Sequence, residues 1–192
     1  MPGVVPELEA YRDQFRAARI EANRLCAGLN SAQANWRPGV ERWSVAECLI
    51  HLTVSARIYC ALIRPVVAQA HARGLLGTGP FRYGIISRWL LRSVEPPVRG
   101  RTKTPRRFQP PDGVVHGIAN TLAEFVAVGV EWEECLNAAN GLDLAQVRVP
   151  SPVVPWLRFR LGALFAGQAA HERRHLWQAR RVLTASGFPS AS

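Results

Sequence analysis

Trp43-Ser44-Val45-Ala46-Glu47-Cys48-Leu49-Ile50-His51-Leu52 is where the fold becomes legible. Ser44 and Glu47 have the spacing of a capping box, in which the serine hydroxyl accepts from the Glu47 amide and the Glu47 carboxylate reaches back to Ser44. Trp43 and Cys48 occupy the two apolar positions that staple such a start. From this cap the periodicity predicts a helix through Leu49, Leu52, Ile58 and Leu62 to about residue 72, with Pro65 as a site for a kink. His51 lies about two turns inside that helix among Leu49, Ile50, Leu52 and Val54. A bare imidazole there would be costly without a partner.

Working outward, residues 6–29 carry a helical stripe of Leu8, Tyr11, Phe15, Ala22, Leu25 and Leu29. Pro6 suits the first turn, and Gly28 with Asn30 suits the exit. Asn35-Trp36-Arg37-Pro38-Gly39 is turn chemistry. After residue 72, glycines and prolines dominate up to residue 112, with one short amphipathic helix predicted over residues 81–92. A connection of this length is a candidate lid. Asp112 is read as the cap of a third long helix, with Ile118, Leu122, Phe125, Gly129, Trp132 and Leu136 on its stripe and Asn140-Gly141 at its end. A proline-punctuated link, Pro150, Pro152 and Pro155, leads to a fourth helix over residues 156–185. No alternating stretch predicts a strand. Four long helices in one modest domain point to an all-α four-helix bundle, a fold that places metal ligands on facing helices.

The fourth helix carries His171-Glu172-Arg173-Arg174-His175. Residues four apart share one helical face, so the two imidazoles can share one divalent ion of the Zn, Ni or Fe type. The string matches the metallopeptidase pattern His-Glu-x-x-His, whose glutamate is a general base and whose third ligand follows downstream. Residues 176–192 contain no His, Asp, Glu or Cys, which argues against that class. The third ligand must then lie upstream, and His51 is the candidate. His71, beside Arg73 and Gly74, and His116, in the expected first turn of the third helix, read as surface residues. The plainer alternative makes His51 a hydrogen-bonded core residue and places the His171/His175 pair on a solvated face. Glu47, Gln168 and Gln178 are candidates for orienting the ligands through hydrogen bonds. Glu47 already has its capping role, and Cys48 reads as a core thiol. Three nitrogens would leave coordination positions open, as catalytic sites do.

The apolar fraction of 48% is ordinary for a globular chain, and 192 residues fit one domain. Residues 49–72 are interrupted by His51, Arg57 and Arg64, so no membrane span is expected, and the first residues lack a secretory signal. A cytoplasmic location is the expectation. Cys26, Cys48, Cys60 and Cys135 form no metal or redox motif and read as small buried hydrophobes. The formal charge of +10 raises nucleic-acid binding, but Lys103 is the only lysine and the arginines are spread along the chain. The local concentration, within residues 88–107, reads as a solvated loop or as one that attracts an anionic substrate.

Trp36-Arg37-Pro38, then Trp43-Ser44-x-x-Glu47-x-x-x-His51-Leu52, then His171-x-x-x-His175-Leu176-Trp177-Gln178, resembles the DinB-like four-helix-bundle superfamily. The likeness runs over about residues 6–185 of a single domain, 1–192, with residues 73–112 as a basic, proline-rich insertion. It implies a metal held by His51, His171 and His175, and a homodimer. Relatives include thiol-dependent transferases and a mycothiol-dependent isomerase. The expectation is a metal-dependent enzyme that activates water or a low-molecular-weight thiol, of the thiol-transferase or hydrolase type, acting on a small molecule. The alternatives are a non-enzymatic stress-response or binding module with a structural metal, and, last, a nucleic-acid-binding protein.

Overall fold

A computed structural model describes residues 4–84, 92–97 and 103–190. The described chain is mostly helical with one small sheet. α1 (Pro6–Cys26) begins on a proline at its first position, buries Leu8, Tyr11, Phe15 and Ala22, and is left through Gly28 at φ +75°. A short helix that the sequence did not suggest, α2 (Ser31–Asn35), is closed by its own capping box between Asn30 and Gln33. α3 (Val45–Ala72) starts on the expected box: Ser44 Oγ accepts from the Glu47 amide at 3.2 Å, and Glu47 Oε2 accepts from the Ser44 amide at 2.9 Å. Pro65 lies inside this helix, which continues past it.

A 3-10 turn (Arg106–Phe108) precedes α4 (Ile118–Ala138). The Asp112 cap is not found. α4 begins at Ile118 with Gly117 at the cap and no side-chain bond, and Asp112 is exposed, 3.7 Å from Arg37. Two constraints delay the helix. Gly113 takes φ +70°, and the Asn35 side chain grips both backbone groups of His116, each at 2.8 Å. His116 therefore precedes the helix rather than joining its first turn. The fourth long helix, α5 (Leu161–Leu183), also starts later than residue 156. Before it, β1 (Arg148–Pro150) and β2 (Arg158–Arg160) pair antiparallel with Val149 opposite Phe159. Strands of three residues are too short to leave a readable alternation. The predicted helix over 81–92 falls mainly on residues 85–91, outside the described residues, and 81–83 are not helical.

α3 packs against α4 and α5, and α1 packs against the same two helices. Their shared core centres on aromatic rings. Phe15 stacks on Trp132 at 4.9 Å between centroids, and Trp132 meets Phe165 edge-on at 6.3 Å. α3 is long and apolar enough to cross a bilayer by length and composition alone, but most of that stretch is buried inside the domain, as in a core helix. The start of the 73–112 insertion is fastened to the core. Tyr83 donates its hydroxyl to Glu7, which also accepts from Tyr11 at 2.5 Å. The Tyr83 hydroxyl fills the space beside Gly162, where a Cβ would lie 1.9 Å from it. Trp132→Ala should cost about 3–5 kcal/mol by opening a cavity in the core, read as a lower denaturant midpoint. A loss below about 1 kcal/mol would mean that the ring stack is not the centre of the core.

Candidate metal centre

α3 and α5 lie side by side, and their contact brings the three histidines together. One ring nitrogen from each of His51, His171 and His175 lies within 4.8 Å of the others. His51 Nε2 and His171 Nε2 are 3.0 Å apart, and the three ring centroids are separated by 4.5 to 4.9 Å. Two nitrogens bound to one ion at about 2.1 Å would stand about 3.0–3.4 Å apart, so the closest pair already has the spacing of a shared ligand set.

Each ring is set in place by its surroundings. His51 is buried and its Nδ1 lies 2.7 Å from the Phe108 carbonyl. A carbonyl only accepts, so Nδ1 carries the proton and the Nε2 lone pair faces the other histidines. Trp43 lies against both His51 and His175, with centroids at 4.7 and 5.5 Å. Nδ1 of His171 and Nδ1 of His175 are sealed from solvent without a hydrogen-bond partner. Each ring gives one nitrogen to a single ion, and for His171 the nitrogen turned to His51 is Nε2, so its Nδ1 is an unmet hydrogen-bonding group on the far side of the ring.

The electrostatics keep the rings ready to donate lone pairs. Burial lowers the His51 pKa, with Arg174 adding to the effect and the Phe108 carbonyl opposing it. His171 is pushed down to about 3 by burial, then by His51 and Arg174. His175 lies well below its ordinary value for the same reasons, and Gln178 opposes the shift. All three are neutral at pH 7, the form a metal requires. Three neutral imidazoles that bring one nitrogen each within 4.8 Å of the others fit a divalent ion of the Zn, Ni or Fe type.

Of the groups expected to orient these rings, Gln178 lies beside His175. Gln168 is buried and accepts from Ser55 at 3.5 Å, one turn along both helices from the histidines. Glu47 is held by its capping box and by Arg37, whose Nε donates to Oε2 at 2.8 Å. Burial alone would raise its carboxyl, but Arg37 and Ser44 together hold it below its usual value. His71 is exposed, with Nε2 2.8 Å from the Ala138 carbonyl. Cys48 is buried, and burial raises its thiol.

Glu172 points elsewhere. It is buried with Trp132 and Arg19 as neighbours, and burial raises its carboxyl to about 8, partly offset by those two. A carboxyl that is mostly protonated at pH 7, in the core shared with α1 and α4, does not serve as the general base of a peptidase. The Phe108 carbonyl and the Trp43 ring were not foreseen as supports. No sequence signal marks a backbone carbonyl 57 residues away as a histidine's partner, whereas Trp43 was visible only as an N-terminal staple.

A family model, that of the DinB superfamily, matches residues 14–179. The chain belongs to the DinB superfamily. Comparison with curated proteins finds no match, and comparison with solved structures finds none. The matched span of this DinB chain contains α3, α4 and all three histidines.

The depressed histidines make a pH prediction with a defined sign. A histidine that stays neutral in the fold but takes a proton near pH 6.5 when unfolded destabilises the fold as pH drops below about 6.5. In metal-free protein, the parent should therefore lose stability relative to His171→Gln as pH falls from about 7 to about 5, by up to about 1.4 kcal/mol per unit below pH 6. Denaturant midpoints across that range measure it. A constant difference would show that His171 titrates alike in both states.

Proposed function

We propose that this DinB chain is a four-helix bundle carrying one divalent metal ion on His51, His171 and His175, and that it is a metal-dependent enzyme of the thiol-transferase or hydrolase type. The observation that carries the reading is the convergence of three neutral imidazole nitrogens with no fourth protein ligand beside them among the described residues. A structural ion is usually enclosed by four protein ligands, whereas three leave a position for a reacting molecule. A bound ion would lower the pKa of water or of a low-molecular-weight thiol placed at that position.

The chain's own groups would do the positioning. The Phe108 carbonyl fixes the His51 tautomer, and Trp43 walls one side of the His51/His175 pair. The basic insertion lies over the site through Phe108, and Arg106 and Arg107 stand exposed on the same turn. They would draw an anionic small molecule toward the centre. We take the whole chain as one domain acting in the cytoplasm, with a homodimer as its assembly.

Untagged protein should contain close to one Zn, Ni or Fe per chain, and His51→Ala and His171→Ala should each lose it while remaining helical. The loaded parent should show exchangeable coordination by a small thiol in the ultraviolet charge-transfer region of a cobalt derivative. Metal content unchanged in His51→Ala would remove the ligand assignment. A loaded protein whose cobalt spectrum no thiol or small anion perturbs would leave a structural ion and no enzyme of this kind.

A further inference from the structure

The hairpin of β1 and β2 carries a basic face and an apolar tip side by side. Arg148 stands opposite Arg160, and Pro150 opposite Arg158. Partners across an antiparallel pair share a face, as do residues two apart along a strand. Val149 is buried and Phe159 packs against the core, so the three arginines belong to the outward face. Arg148 and Arg158 are exposed, and Arg160 is half-buried with its guanidinium donating to the Ala145 carbonyl at 2.7 Å. Among the described residues no carboxylate pairs with any of the three. Like charges directly opposite weaken a strand pair, so this face gains from an external anion.

The turn between the strands, residues 150–157, has no charged side chain. Val153 is 46% exposed and Trp156 83% exposed, with Pro155 exposed between them. The turn is also poor in free backbone donors. Pro150, Pro152 and Pro155 have no N–H. The Ser151 amide donates to the Leu157 carbonyl at 2.8 Å, and the Leu157 amide to the Val154 carbonyl at 3.0 Å. Both the Val153 and Val154 amides donate to the Ser151 hydroxyl, at 3.2 and 3.1 Å. Among the described residues only the Trp156 amide of this turn is left over. The Pro152 carbonyl accepts from Arg107, which brings a fourth guanidinium to the edge of the tip. Backbone whose N–H groups are absent or already bonded can leave water at small cost, which an apolar medium demands. A nucleic acid or a polar protein surface makes no such demand, because its own acceptors can meet open amides.

We propose that this hairpin is a membrane-surface anchor, in which the 150–157 turn enters the interface of an anionic bilayer with Trp156 at headgroup level while Arg148, Arg158 and Arg160 meet lipid phosphates. An indole is amphipathic and suits that level, and guanidinium forks match phosphate oxygens. One aromatic residue with a few arginines gives reversible attachment, far from a membrane span. The anchor does not depend on a bound metal ion.

The test is co-sedimentation of the full-length chain with vesicles of phosphatidylcholine and phosphatidylglycerol in about equal amounts, and with vesicles of phosphatidylcholine alone. The chain carries a formal charge of +10 and would adsorb weakly to any anionic surface, so the variants decide. The parent should bind the mixed vesicles, and more weakly as salt rises. Trp156→Ser should lower the affinity about tenfold, the yield of burying one large apolar side chain. Arg158→Gln should lower it about fivefold, whereas Arg24→Gln, an exposed position on α1, should change it less than about twofold. Lipids brominated along the acyl chains should quench the fluorescence of the parent and spare that of Trp156→Ser.

No binding of the parent to the mixed vesicles at low salt would overturn the anchor. So would equal losses in Arg158→Gln and Arg24→Gln, which mark adsorption by net charge alone, or full binding by Trp156→Ser. A dimer or an RNA complex that Trp156→Ser abolishes, in a chain that does not bind vesicles, would assign the surface to that partner and overturn the anchor as well.

Discussion

His51 meets His171 and His175 only because α3 and α5 pack side by side, and that packing depends on two helices whose apolar faces are turned to a common core. The capping box at Ser44 fixes where α3 begins and so which of its residues face inward. The aromatic stack of Phe15, Trp132 and Phe165 holds α1, α4 and α5 in mutual register. A shift of one residue in either histidine-bearing helix would turn a ligand by about 100°, away from its partners. The cluster is therefore a product of helix phase, with every histidine on a regular element rather than on a loop.

That placement sets the chemistry. Burial keeps the imidazoles neutral, which suits metal binding and opposes protonation. It also leaves Nδ1 of His171 and Nδ1 of His175 without protein partners. The insertion takes part as well. Tyr83 anchors its start on Glu7, Arg173 engages Glu95 in its middle, and the Phe108 carbonyl meets His51 near its end. These contacts tie described parts of the insertion to the helical core, and the last of them reaches the histidine cluster.

Much of this was legible in the sequence, and the reasons are local. The Ser44/Glu47 spacing predicts a helix start from short-range hydrogen bonding alone, and the start lies where the spacing puts it. The i, i+4 histidines announce a shared face, and an imidazole amid leucines announces a need for a partner. The boundaries of α4 and α5 were misplaced because they are decided at long range. Asn35 holds the His116 backbone across 81 positions, and β1 pairs with β2 over too few residues to show a period. Glu172 illustrates the limit of motif matching. The string His-Glu-x-x-His fits a peptidase letter by letter, yet one step of 100° along the helix turns its carboxyl into the core beside Trp132.

The central claim is that one ion is held by three histidines with room for a reacting molecule. Crystals of zinc-loaded protein, with diffraction recorded on both sides of the zinc edge, test it most directly. The account predicts a single anomalous peak at about 2.0–2.1 Å from one nitrogen each of His51, His171 and His175, with at least one further position filled by water or a small anion. A peak bound by other residues, a site closed by a fourth protein ligand, or no peak at the histidines would contradict it.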